Sequence, residues 1–147
     1  MTLAENSYRR EIIVSGTTAD AYRALTVDYD KWWTPSSIPI KNVGDIVTFR
    51  FGETYWTMRV IGLNPNRYVA LECIEANHID DRSTDSIRKE WEGTKLIWTI
   101  EKIDDKTRIT FLHEGLAPSL ECYDICELGW DHYFVNVLKQ HLDKKAG

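Results

Sequence analysis

His113 and the three cysteines, Cys73, Cys122 and Cys126, are the side chains here whose chemistry needs weighing first. His113 ends an alternating segment on the same face as Ile109 and Phe111. An imidazole there titrates near neutral pH, so it could orient a bound polar group or serve as a general base, with a tyrosine as partner. On that reading His113→Gln keeps the fold and abolishes turnover. The same position equally suits a histidine bonded to backbone at a strand end, and no partner is evident in the sequence. Cys122 and Cys126 are four residues apart, on one face of a helix, and Cys73 lies on a strand that could face them. Zinc wants four donors, usually at tighter C-x-x-C spacing, and His141 is several turns away; these thiols read as core packing, with no metal and no cofactor expected. The chain carries no Gly-rich phosphate loop, no H-E-x-x-H and no G-x-S-x-G. Glu72 and Glu75 fall on opposite strand faces and make no carboxylate pair. Nothing here argues positively for an enzyme.

The aromatic residues are the second signal. Six Trp and seven Tyr in 147 residues mean that bulky amphipathic rings line something. Trp33, Trp98, Trp130 and Tyr133 are candidate pocket walls, Phe49, Met58 and Phe111 its floor, and His113 and Cys126 its polar or polarizable members. The same rings could equally fill a core. Gly129 sits mid-helix, where glycine costs about 1 kcal/mol relative to Ala; close approach of a neighbouring backbone or of a ligand would compensate.

These residues are positioned by a simple order of elements. Tyr8 to Val14 is rich in β-branched residues and reads as a strand ended by Gly16. Thr17 or Thr18 caps a short helix through Leu25, and a second short helix or turn runs from Asp28 to Pro35. Period-2 alternation then predicts strands at Ile46–Phe51, Tyr55–Leu63, Tyr68–Glu75, Thr94–Lys102 and Arg108–Glu114. Ala76 to Gly93 is polar and aperiodic except for Ile79, Ile87 and Trp91, the mark of an exposed edge loop or of a lid. From Pro118 to about Lys145 the pattern becomes helical, with Ser119 as N-cap and a broad apolar face through Cys122, Ile125, Cys126, Gly129, Trp130, Tyr133, Val137 and His141, flanked by Phe134, Leu138 and Leu142. One antiparallel sheet with one apolar face needs one long helix to cover it.

Length and charge set limits. At 147 residues the chain is read as one domain, 1–147, with a core that needs no staples. Eighteen basic against twenty-three acidic residues give a net charge of −5, which disfavours a nucleic-acid backbone or an anionic membrane as partner. Three cysteines are an odd count, no N-x-[ST] sequon occurs and the first residues lack an apolar signal core; the cytoplasm is the expected compartment. No apolar run approaches the roughly 20 residues that span a bilayer, so no membrane insertion is expected.

Three stretches together carry a resemblance: ADAYRALT at 19–26 through KWWTP at 31–35, TRITFLHEGL at 107–116, and LGWDHYFVNVL at 128–138. In sequence and spacing the chain resembles the START-like (SRPBCC, helix-grip) superfamily, within it the branch named after the activator of heat-shock-protein-90 ATPase. The resemblance implies an α+β helix-grip fold: a curved antiparallel sheet of about six strands wrapped around a long C-terminal helix, with two short helices after the first strand. It implies a pocket between sheet and helix that often holds a lipid, a polyketide or another apolar small molecule. The superfamily also includes cyclases and co-chaperone domains. Three functions are therefore carried forward: binding of an apolar small molecule, a cyclase or hydratase activity using His113, and an interaction domain for a protein partner or a second copy of the chain. The segment from Ala76 to Gly93 departs from the pattern, being longer than a hairpin.

Overall fold

The computed structural model describes residues 7–79 and 88–144. Six strands form one antiparallel sheet: β1 (Tyr8–Val14), β2 (Ile46–Phe51), β3 (Thr54–Asn64), β4 (Tyr68–Asn77), β5 (Lys95–Ile103) and β6 (Lys106–Glu114). The spatial order is β1-β6-β5-β4-β3-β2, a meander whose free edge beside β6 is taken by the first strand. Between β1 and β2 the chain forms α1 (Thr18–Ala24) and one 3-10 turn (Tyr29–Lys31). Thr17 caps α1 reciprocally: its hydroxyl accepts from the Asp20 N–H while the Asp20 carboxylate accepts from the Thr17 N–H.

The alternating residues do face one side. Val47 and Phe49, Met58 and Val60, Val69 and Leu71, Leu96 and Trp98, Ile109 and Phe111 are all buried in one core. Register shifts between β3 and β4 at Thr57/Met58 and at Val60/Gly62 bend the sheet. At the second shift a Cβ on Gly62 would lie 2.7 Å from the Tyr68 ring, so any other residue there would have to push that ring aside. β4 continues to Asn77, two residues beyond the predicted end. Of the segment after it, residues 80–87, with Ile87, lie outside the described residues.

The C-terminal helix starts later than its apolar pattern indicates. Residues 118–122 are turns, and helix begins with α2 (Tyr123–Trp130). Ser119 is not its cap. The Glu90 carboxylate, just before β5, accepts from the N–H groups of Glu121 and Cys122 at 2.8 and 2.9 Å and satisfies the helix start from outside. After α2 the chain is π-helical over Asp131–Leu138 and α-helical again in α3 (Lys139–Lys144).

That π segment explains a packing stripe the 100° reading divided. Cys122, Cys126, Trp130, Phe134, Leu138 and Leu142 are all buried and spaced by four. In a pure α-helix a period of four drifts by about 40° per step and would turn the stripe off the sheet. The wider π turn reverses the drift and keeps the stripe facing the core, while Tyr133, Val137 and His141 move to half-buried flanks. The helix is tied to β1 along its length: Tyr8 Oη and Arg10 Nε donate to Asp131, Arg10 Nη2 reaches Glu127, Lys139 Nζ donates to the Ile13 carbonyl and Asp143 accepts from the Ser15 N–H. These half-exposed pairs set position more than stability, at about 0–1 kcal/mol each. No helix among the described residues is long and apolar enough to cross a membrane.

Candidate functional site

Four indoles close the wedge between sheet and helix. Trp33 stacks on Trp56 (ring centroids 5.8 Å, 21°), Trp56 on Trp91 (4.3 Å, 20°), Trp91 on Trp130 (5.8 Å, 16°), and Trp130 returns to Trp33 at 4.8 Å. Below them Phe49, Trp98, Phe111 and Phe134 are fully buried. Trp91 comes from the polar segment before β5. It is buried, so this segment is anchored in the core at its described end and is not simply an exposed loop.

What remains outside the indoles is a cleft of about 210 Å³, open to solvent. Trp33, Phe51, Trp56, Trp91, Trp130 and Tyr133 form its aromatic wall; Ile125, Cys126 and Gly129 its helix side; Thr54, His78 and Ile79 its rim. Ligand pockets usually run to about 300–1,000 Å³, so this cleft takes a ring or a side chain more readily than a lipid tail. A Cβ built on Gly129 meets nothing within 4 Å. The missing side chain therefore opens the cleft and does not admit a neighbouring backbone. Ile125, which lines the cleft, is 38% exposed, and Leu128, three residues on along the helix, is 70% exposed, so the two form a short apolar ridge running outward from the cleft.

His113 lies beneath this wall with no exposed surface. Trp130 Nε1 can only donate, so His113 Nδ1 accepts from it at 3.0 Å. The proton therefore sits on Nε2, which donates to Thr94 Oγ1 at 2.9 Å, and that hydroxyl donates to the Trp91 carbonyl at 2.6 Å. Burial pushes the imidazole pKa down to about 3. With both nitrogens engaged and no route to solvent, it has no lone pair to offer a substrate. It joins β6, the start of β5 and the helix.

Of the residues expected in a site, Trp33, Cys126, Trp130 and Tyr133 line the cleft. Phe49, Met58, Trp98, Phe111 and His113 do not; they are the packed layer beneath. Strand alternation reports which face is inward but not how deep a residue sits. Phe51, Thr54, Trp56, His78, Ile79, Trp91, Ile125 and Gly129 complete the cleft. Trp91 had a visible signal, an indole in an otherwise polar stretch; His78, just past β4, had none. The polar atoms buried without a hydrogen-bond partner among the described residues include two on cleft residues, Trp56 Nε1 and His78 Nδ1. All three cysteines are free and buried. Cys126 Sγ lies 3.0 Å from Cys122 Sγ and accepts from Trp91 Nε1 at 3.3 Å. Cys73 stands apart with its S–H on the Glu75 carbonyl, and burial pushes its pKa up to about 12.

Solved structures share this architecture. The Aha1 dimer from Colwellia psychrerythraea is 24% identical, with a TM-score of 0.75 over 96% of this chain and 98% of that one. Protein MLL2253 from Mesorhizobium loti is 17% identical, with a TM-score of 0.72 over 93% and 98%. Protein CV1439 from Chromobacterium violaceum is 18% identical, with a TM-score of 0.67 over 95% and 98%. At these identities the likeness is one of fold. No curated protein matches the chain in sequence. The family model for Activator of Hsp90 ATPase homolog 1-like protein matches residues 17–143, from the cap of α1 to the last turn of α3, and the chain belongs to that family.

Proposed function

We propose that this chain is a protein-interaction domain whose open cleft and adjoining helix ridge receive an apolar side chain or segment of an Hsp90-type chaperone ATPase. One observation carries the reading: the wedge that would hold a large ligand is filled by the protein's own Trp33, Trp56, Trp91 and Trp130, while Leu128 and Ile125 are exposed beside the cleft that remains. The family to which the chain belongs is described by chaperone ATPase activation, which gives the partner's class. An apolar ridge beside an aromatic recess fits the usual interface core, in which a few anchors carry most of the energy.

Calorimetric titration against a purified Hsp90-type chaperone tests this. Leu128→Glu should weaken binding by at least about tenfold, as expected for loss of an anchor, while stability changes by no more than about 0.5 kcal/mol at so exposed a site. Gly129→Leu places its side chain in open space and removes a helix glycine. Thermal unfolding should show an unchanged or slightly higher Tm, worth up to about 1 kcal/mol, while the filled cleft no longer binds. Undiminished affinity in both variants places the partner elsewhere on the surface.

A second reading, binding of a small apolar or aromatic molecule, is favoured by the unpartnered Trp56 Nε1–H, which would donate to one acceptor on a ring seated in the cleft. Native mass spectrometry of the freshly purified chain separates the two: a co-purifying small molecule supports the second reading, and the bare chain mass speaks for the first.

A further inference from the structure

His78 and Cys126 line the cleft and Cys122 lies behind them; the donor atoms of the three lie within 4.8 Å of one another, and all three residues are buried. They come from two places. His78 follows β4 with its own N–H bonded to the Arg88 carbonyl at 2.9 Å. Cys122 stands at the N-cap of α2 with its N–H held by Glu90, and Cys126 follows one turn later. The spacing Cys-x-x-x-Cys alone gave no metal signal; the third donor lies 44 residues upstream of Cys122. Buried polar atoms in native proteins are almost always partnered, and the His78 ring faces the Cys122 thiol closely enough to interact with it while its Nδ1 has no well-formed hydrogen bond among the described residues, which needs a reason.

We propose that His78, Cys122 and Cys126 form a binding site for Zn²⁺. Two thiolates and a neutral imidazole balance the charge of Zn²⁺ to zero, the arrangement that costs least in an apolar setting; a monovalent cation would leave a buried negative charge. Binding releases two thiol protons to solvent through the cleft, and each sulfur electron pair passes to the metal. Zn–S bonds of about 2.3 Å at a tetrahedral angle set the sulfurs about 3.8 Å apart. They stand at 3.0 Å, so the two side chains open by less than 1 Å to admit the ion. The Trp91 indole N–H on Cys126 Sγ supplies an outer-shell hydrogen bond to a ligating sulfur. Three protein donors leave a fourth position, and because His78 and Cys126 line the cleft, that position faces it and takes water or an external donor.

The test is titration of the full, reduced chain with Co²⁺ and then Zn²⁺. One equivalent of Co²⁺ should give thiolate-to-cobalt charge transfer and the intense visible bands of tetrahedral cobalt, and Zn²⁺ should abolish both by displacement. Cys122→Ser, Cys126→Ser and His78→Asn should each weaken binding by more than the roughly 10–100-fold that loss of an outer-shell partner costs, while Cys73→Ser leaves it unchanged. X-ray absorption of the parent's one-to-one zinc complex reads the donors without any variant: two sulfurs with two lighter atoms are expected. Absence of the thiolate band at one equivalent, a band that survives loss of either Cys122 or Cys126, a band that needs Cys73, or a sulfur-free first shell each overturns the proposal.

Discussion

Trp130→Ala should lower the free energy of unfolding by about 3–5 kcal/mol, a large share of the 5–15 kcal/mol typical of a single domain. Two effects add. The indole is 2% exposed and packs against Trp33, Trp91 and Phe111, so truncation leaves a cavity at the meeting point of helix, sheet and the segment before β5. It also strips His113 Nδ1 of its donor, leaving a buried acceptor unpaired for about 1–3 kcal/mol. Trp130→Phe helps to separate the two, because it loses the N–H while keeping one ring and so leaves a smaller cavity than alanine does. Urea unfolding at constant m reads both variants. A loss below about 1 kcal/mol for the alanine variant would mean that Trp130 is a cleft wall only and not part of the core.

The second large effect is on pH. His113 is held neutral in the folded chain, with its pKa pushed down to about 3 by burial, whereas in the unfolded chain it takes a proton at its ordinary value near 6.5. Between those values the unfolded state binds the extra proton, so stability is complete above about pH 6.5 and is lost progressively as pH falls towards 3. The slope from this one group reaches at most about 1.4 kcal/mol per pH unit. Carboxylates such as Asp45 and Asp143, whose pKa values are lowered by hydrogen bonds from backbone N–H groups and Lys139 that outweigh their desolvation, add a similar dependence at lower pH. His113→Gln isolates the histidine. Urea midpoints from pH 7 to 4 should fall less steeply in the variant than in the parent, and the variant should be less stable at pH 7 by about 1–3 kcal/mol, because a glutamine holds the Trp130 and Thr94 bonds less well. Equal slopes would mean that His113 titrates normally and is not sealed.

Much of the architecture was legible because it rests on local patterns. Period-2 alternation located five of the six strands and their buried face, β-branched content located β1, and a threonine cap at Thr17 or Thr18 located α1. The start of the last helix was misread at Ser119 because its cap, Glu90, arrives from another part of the chain. The stripe from Cys122 to Leu142 was divided between two faces because a π segment changes the angle per residue, which no single window shows. In the cleft, Trp33, Trp130 and Tyr133 could be named because large aromatic residues on inward faces line either a core or a pocket. Trp98, Phe111 and His113 share those faces, and only the packing of Trp91 and Trp56 over them decides that they are covered. His78 meets Cys122 and Cys126 only in the folded chain, a relation between distant segments that spacing cannot carry.

On the proposed function, the aromatic cleft and the Leu128 ridge act on a chaperone ATPase. The most direct measurement is the ATP hydrolysis rate of a purified Hsp90-type chaperone against increasing amounts of this chain, run in parallel with Gly129→Leu and Leu128→Glu. Saturable stimulation by the parent, lost in both folded variants, is the predicted result. A rate that the parent leaves unchanged at concentrations that saturate binding, or one that both variants stimulate as well as the parent, would contradict it.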